Sequence, residues 1–175
     1  VIQQLSGKAK GLSEMQTNNN EIWAALQKVK DPEIDSISIV DLGMVEEVKL
    51  DGECLEIKLL PTFMGCPALD IIKKNLEKEL SCLEGVKEMK VEFIYQPPWT
   101  SDRITEEGRK NLIEFGIAPP PLMDETGQWH VDCPYCGSTY TTLDNIFGPT
   151  ACRSILYCKG CKNPFEAMKP VSTMM

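Results

Sequence analysis

The sequence predicts an α+β fold in two parts: a small α-β-β-α-β domain, then a C-terminal hairpin module folded by a metal. Three observations predict it. Through most of the first 118 residues, apolar positions switch between helical three-to-four spacing and strand-like alternation. Pro119-Pro120-Pro121 and the polar stretch behind it break that pattern and hold the chain extended. Beyond them stand two tight cysteine pairs, Cys133-x-x-Cys136 and Cys158-x-x-Cys161. With 42% apolar and 25% charged residues, the 175-residue chain is globular rather than disordered. The expected divisions are a poorly structured or artificially added stretch at 1–20, the α+β domain with a trailing helix at 21–118, a linker at 119–132, and the cysteine module at 133–170.

Residues 21–30 read as the first helix, because Ile22, Ala25, Leu26 and Val29 share one face; Asp31-Pro32-Glu33 stops it. Residues 44–50 and 54–60 read as strands joined by the Asp51-Gly52 turn. In the second strand Leu55, Ile57 and Leu59 alternate with Cys54, Glu56 and Lys58, so one face is buried. The strongest helix covers residues 67–83, with Ala68, Ile72, Leu76, Leu80 and Leu83 as its stripe and Pro67 at its first position. Residues 86–95 supply a third strand. Thr105 then caps a last helix with Glu106 and Glu107 in its first turn, and Gly116 ends it.

The cysteine pairs carry the strongest chemical signal. Each is a knuckle with two thiolates at the ends of a tight turn, and Gly137 supplies the left-handed residue after the first. The 21 residues between the pairs fit a hairpin, residues 140–147 and 152–157 around Gly148-Pro149. Two knuckles close a tetrahedral four-thiolate site, the pattern of a zinc ribbon; a single iron is the alternative ion. With every position filled by sulfur, the site is structural. A module of about 40 residues is too small for its own core, so the metal supplies its folding energy.

The remaining thiols are less distinctive. Cys66 precedes the strongest helix, whose N-terminal charge is expected to lower its pKa, so that alkylation hits it before Cys54 or Cys82. A small residue filling a tight turn is the bland alternative. Cys152 is six residues from Cys158 along a strand, so it marks the far tip of the hairpin, about 20 Å from the metal. His130, three residues before Cys133, is superfluous as a ligand. As the single histidine it offers no base for thiol catalysis, and no resolving cysteine pair lies outside the ribbon, so no enzyme is expected. Asp31, Glu33, Asp35 and Asp41 form an acidic group that ordinarily means solvated surface.

Charge narrows the partners. Lys and Arg number 18 against 26 Asp and Glu, a net −8 that counts against nucleic acid and anionic membranes. No apolar run approaches the roughly 18–20 residues of a membrane span, and the first fifteen residues lack the pattern of a secretory signal. The expectation is a cytoplasmic protein. Residues 133–175 carry four basic against two acidic groups, so Arg153, Lys159 and Lys162 are expected to steer the ribbon toward an acidic partner.

Asp31-Pro32-Glu33, then Ser38-Ile39-Val40-Asp41-Leu42-Gly43-Met44-Val45, then Thr62-x-x-x-Cys66-Pro67 before a helix resemble the small iron–sulfur assembly domain of the SufT and cytosolic targeting-factor type. Gln96-Pro97-Pro98-Trp99-Thr100, Ile104-Thr105-Glu106-Glu107-Gly108-Arg109 and the ending Pro164-Phe165-Glu166 narrow this to a resemblance to the PaaD family of phenylacetate degradation, over about residues 21–170. The resemblance implies a non-enzymatic maturation factor for the metal or iron–sulfur centre of a multicomponent phenylacetyl-CoA ring-epoxidising oxygenase. The alternative it leaves is a structural or docking subunit of that complex. It implies Cys66 as the functional thiol, with Asp31, Glu33 and Asp41 lining its neighbourhood, and oxygenase subunits, iron–sulfur assembly proteins or both as partners. A transient iron or cluster at Cys66 needs ligands beyond one thiolate, from a homodimer or a partner.

Overall fold

The structure, a computed structural model, describes residues 19–121 and 130–171. The expectations for residues 1–18 and for most of the linker therefore lie outside the described residues. Helix α1 covers residues 19–28 and ends where Lys30–Asp31 (β1) pairs antiparallel with Ile34–Ser38 (β2). This hairpin occupies what reads in the sequence as an acidic loop. Its Ile34 and Ile37, with Ile39 just beyond, carry it into the core.

Val45–Asp51 (β3) and Cys54–Leu59 (β4) form the expected antiparallel pair around Asp51-Gly52. From β4 the chain crosses through helix α2, Leu69–Leu80, to Glu88–Phe93 (β5), which pairs parallel with β4. The alternation in β4 buries Leu55, Ile57 and Leu59 completely, beneath Ile72, Leu76 and Leu80 of α2. Helix α2 is shorter than the apolar stripe implies. Ala68 is its N-cap, so Cys66 and Pro67 lie in the turn ahead of it rather than in its first turn.

A short 3₁₀ turn, Ser101–Arg103, leads to helix α3, Glu106–Phe115. Thr105 accepts a hydrogen bond from the Gly108 N–H at 3.0 Å, and Gly116 closes the helix at φ 90°, both as expected. The turn that opens on Asp41 needs Gly43: it sits at φ 65°, and a Cβ there would lie 2.2 Å from the Arg103 carbonyl oxygen.

The C-terminal sheet has the order β6-β9-β8-β7, built from Ile117–Ala118 (β6), Thr141–Asn145 (β7), Arg153–Cys158 (β8) and Pro164–Met168 (β9). Strand β6 follows α3 directly and runs parallel to β9. Ile117 and Met168 enter the large core, and Val171 packs against it. Ser101 exchanges two bonds with Val171, at 2.9 and 2.8 Å, and Arg109 donates to the Pro120 carbonyl at 2.7 Å. The ribbon is thus stitched to the α+β domain by the segment that follows β5. Among the described residues, no helix is long and apolar enough to cross a membrane.

Candidate metal centre and thiol site

Cys133, Cys136, Cys158 and Cys161 bring their sulfurs within 4.8 Å of one another. Cys133 Sγ lies 3.7 Å from Cys161 Sγ, and Cys136 Sγ lies 3.6 Å from Cys158 Sγ. Those separations are far too long for disulfides, whose sulfurs lie about 2.05 Å apart. They match the edge of a tetrahedron with metal–sulfur bonds of about 2.3 Å, which is about 3.8 Å. The residues present fit a four-thiolate ion.

The two knuckles are built alike. Gly137 N–H donates to the Cys133 carbonyl at 2.8 Å, and Lys162 N–H donates to the Cys158 carbonyl at 2.9 Å. The residue closing each turn is left-handed, Gly137 at φ 69° and Lys162 at φ 64°. At Cys158 the Cys161 N–H, 3.4 Å away, helps bring the thiol down to about 6. Cys136 is pushed up to about 11: the Ser138 N–H favours its thiolate, but desolvation and the neighbouring thiols outweigh that bond. Burial raises Cys133, whereas at Cys161 desolvation is outweighed by the Asn163 donors, which lower the thiol. Sulfurs this close repel when all are ionised, and a divalent cation removes the conflict.

Cys66 is half-buried, and burial is the first cause that pushes its thiol up, not down. The Ala68 N–H bonds to it and favours the thiolate, as the helix N-terminus implies, but Glu33, Asp31 and Cys152 all act against ionisation. The lowering expected from the helix N-terminus is therefore outweighed by burial. Asp31 Oδ1 accepts from the N–H groups of Glu33 and Ile34, at 2.8 and 3.2 Å, which fixes the β1–β2 turn. Burial raises the Asp31 carboxyl as well.

Asp41 is placed otherwise. It is 5% exposed, and its carboxylate accepts from Ser38 Oγ at 2.6 Å, the Ser38 N–H at 3.3 Å and Gln27 Nε2 at 2.8 Å. Its main-chain carbonyl accepts from Thr105 N–H at 2.9 Å. These bonds organise the turn, and Asp41 is not among the groups that act on Cys66.

Arg153 corrects a second expectation. It is 6% exposed, donates to Glu166 at 2.7 Å and reaches the Glu33 carboxylate at 3.7 Å, so it joins the two halves instead of steering a partner. Lys159 lies over the Tyr140 ring, 5.0 Å from its centroid. Beside the Cys66 loop, an apolar cavity of about 460 Å³ is lined by Phe63, Met64, Tyr95, Pro98, Trp99 and Val171. Trp99 is anchored there by its indole N–H, 2.8 Å from the Leu42 carbonyl.

Fold and site define a class, an iron–sulfur assembly domain carrying a four-thiolate metal-binding ribbon. Residues 19–93 match the family described as iron-sulfur cluster assembly protein, and residues 118–169 match the PaaD zinc beta ribbon domain. A protein of Escherichia coli strain K12, named as a subunit of a "Putative 1,2-phenylacetyl-CoA epoxidase", is 38% identical over 154 residues, 86% of this chain and 92% of that one. The chain belongs to the PaaD family. The Fe-S protein maturation auxiliary factor YitW of Bacillus subtilis is 40% identical over 97 residues, 55% of this chain and 91% of its own. A crystal structure of the domain of unknown function DUF59 from Bacillus anthracis aligns with a TM-score of 0.52 at 31% identity, covering 55% of this chain and 92% of that one. The iron-sulfur cluster assembly family match and the YitW likeness support a role in iron–sulfur protein assembly.

Proposed function

We propose that this protein matures the iron or iron–sulfur centre of a multicomponent oxygenase acting on the ring of phenylacetyl-CoA, in the cytoplasm, without being an enzyme itself. The observation that carries the reading is Cys66. It sits half-buried in a turn, accepts the Ala68 N–H, feels the opposing charges of Glu33 and Asp31, and adjoins an apolar cavity that a client can cover. A protonated thiol beside carboxylates waits for a cation: the ion displaces the proton, and mixed sulfur and oxygen ligands hold iron without trapping it. The ribbon carries zinc, because four thiolates closing a tetrahedron satisfy it completely.

A docking subunit is the second reading, favoured by the word "subunit" in the name of the Escherichia coli relative. Co-expression of the oxygenase with wild-type chain or with Cys66→Ser, at equal levels, separates them. The maturation reading expects normal complex formation and iron-depleted oxygenase with the variant. Equal iron in both leaves the docking reading in its place.

A further inference from the structure

Strand β5 ends its sheet: the order is β3-β4-β5, and among the described residues nothing pairs with its far side. The Glu88 and Ile94 N–H groups donate toward β4, to the Glu53 and Leu59 carbonyls at 3.2 and 2.8 Å. Bonding direction alternates along a strand, so Met89, Val91 and Phe93 turn their N–H and C=O groups outward. Their side chains pack into the core beneath α2, whereas Glu88, Lys90 and Glu92 are exposed on the opposite face. On that face the charges alternate across the sheet. Register sets Lys49 against Glu56 and Glu56 against Lys90 in one row, and Glu47 against Lys58 and Lys58 against Glu92 in the next. The pairs Lys58–Glu47 and Lys90–Glu56 close at 2.5 and 3.0 Å. One row thus reaches the edge on a lysine and its neighbour on a glutamate, with Lys90 Nζ 3.7 Å from Glu92 Oε2.

A lysine on an edge strand ordinarily keeps other strands away, but a Lys-x-Glu edge is complementary to its own reverse. We propose that β5 pairs antiparallel with β5 of a second copy about a two-fold axis at Val91, joining two three-stranded sheets into one. This register sets Val91 opposite Val91, Met89 opposite Phe93 and Lys90 opposite Glu92, and outward backbone groups meet outward ones. Each charge row then continues across the axis. Lys49, Glu56 and Lys90 of one copy are followed by Glu92, Lys58 and Glu47 of the other, alternating in sign throughout. Centring the pair on Met89 sets Val91 against Lys87, and centring it on Phe93 sets Lys90 against Gln96, so either shift cuts the rows short. Because β4 and β5 run parallel, the two β4 ends from which the Cys66 loops depart point opposite ways, about 20 Å apart. Neither copy therefore completes the other's Cys66 site. On the reading of Cys66 given above, the remaining ligands fall to a different protein; the pairing itself does not depend on that reading.

The test is sedimentation of the full, zinc-loaded chain at about 0.15 M salt. There a Debye length of about 8 Å screens the net −8 of each copy but not neighbouring charges on the sheet. At about 100 μM wild type is expected near twice 19.6 kDa, falling to the single mass on dilution. A monomer at every concentration overturns the proposal. Lys90→Glu sets carboxylate against carboxylate at both symmetric contacts, and Glu92→Lys sets ammonium against ammonium. Each is expected to weaken the dimer about tenfold or more, and an equimolar mixture of the two variants to recover it. Variants that remain as dimeric as wild type, or a mixture no tighter than either variant alone, overturn it. Should a variant lose its fold, amide exchange in the wild type decides. Protection of the Met89, Val91 and Phe93 N–H groups that falls on dilution supports the pairing, and protection independent of concentration overturns it. Client iron with Cys66→Ser tests the other reading separately, so either can fail alone.

Discussion

Among the described residues, twenty-three buried apolar residues form the large core centred on the α+β domain, Met168 of the ribbon among them, whereas six form that of the ribbon. Two of those six, Cys133 and Cys158, are themselves metal ligands. The domain is held by burial, at roughly 25 cal/mol per Å² of apolar surface, and tolerates a half-exposed polar face. The ribbon lacks that surface and exposes Phe147 to 77% and Tyr135 to 59%, so its free energy of folding comes from metal–sulfur bonds. The difference teaches where each half is vulnerable.

The largest expected effect separates the halves outright. Chelating the ribbon ion, or disrupting its site by Cys158→Ser, removes on the order of 10 kcal/mol of apparent metal-linked folding energy. Hydrogen exchange is expected to show residues 133–165 losing protection while β3, β4 and β5 keep theirs. Equal loss in both halves would merge them into one folding unit.

Leu76→Ala reverses the comparison. Leu76 is fully buried in α2, and its truncation is expected to cost about 2–5 kcal/mol in denaturant unfolding while zinc stoichiometry stays at one. At the seam, Arg153→Ala leaves Glu33 and Glu166 without their partner. Those carboxylates are partly exposed, so the expected loss is about 2 kcal/mol, below the 3–5 kcal/mol of a fully buried pair. A loss under about 0.5 kcal/mol would mean the seam is held by Ser101, Val171 and Met168 alone.

Within the ribbon the two knuckles sharpen the contrast further. Gly137→Ala meets no atom within 4 Å of the new Cβ, so its expected cost of about 1 kcal/mol is purely that of left-handed backbone. Lys162→Gly relieves the same conformation and is expected to raise stability by somewhat under 1 kcal/mol, net of the unfolded-state entropy. Thermal unfolding of the zinc-loaded protein reads both, and shifts of the same sign would refute the parallel.

The smallest effect is a rate. Because the folded Cys66 pKa is raised, its contribution to stability is full below the unfolded pKa and is lost as pH rises through the folded one. Iodoacetamide at pH 7 is expected to label exposed Cys82 before Cys66, and Glu33→Gln is expected to speed labelling of Cys66 by removing one opposing charge. Faster labelling of Cys66 than Cys82 in the wild type would contradict the burial that governs it.

Much of this was legible in the residues. The alternation of β4 and the Thr105 cap and Gly116 stop are local patterns that formed where their spacing put them, and the stripe of α2 formed a helix shorter at both ends than it implied. Strand β2 was not legible, because its partner β1 is only two residues long and Asp31-Pro32-Glu33 reads as a stop. Strand β9 begins on Pro164, a turn residue, and pairs through β6 with the far side of the linker. Asp41 carries the same charge as Asp31 and Glu33, yet Ser38 and Gln27 consume its carboxylate.

The sequence by itself determined the four-thiolate centre, since a Cys-x-x-Cys knuckle is made within five residues and two knuckles need only a hairpin to meet. It also determined α1, β3, β4, α2 and β5 in that order, though not the β1–β2 hairpin between α1 and β3, because amphipathic periods are written along the chain. Only the tertiary structure decided what surrounds Cys66. Glu33 and Arg153 stand 120 residues apart and meet across a seam. Such a pairing leaves no period in the sequence: it follows from how β6, β9 and the Ser101–Val171 bonds dock the ribbon. That docking buries Arg153, while burial raises a Cys66 thiol that its place before a helix alone would have lowered.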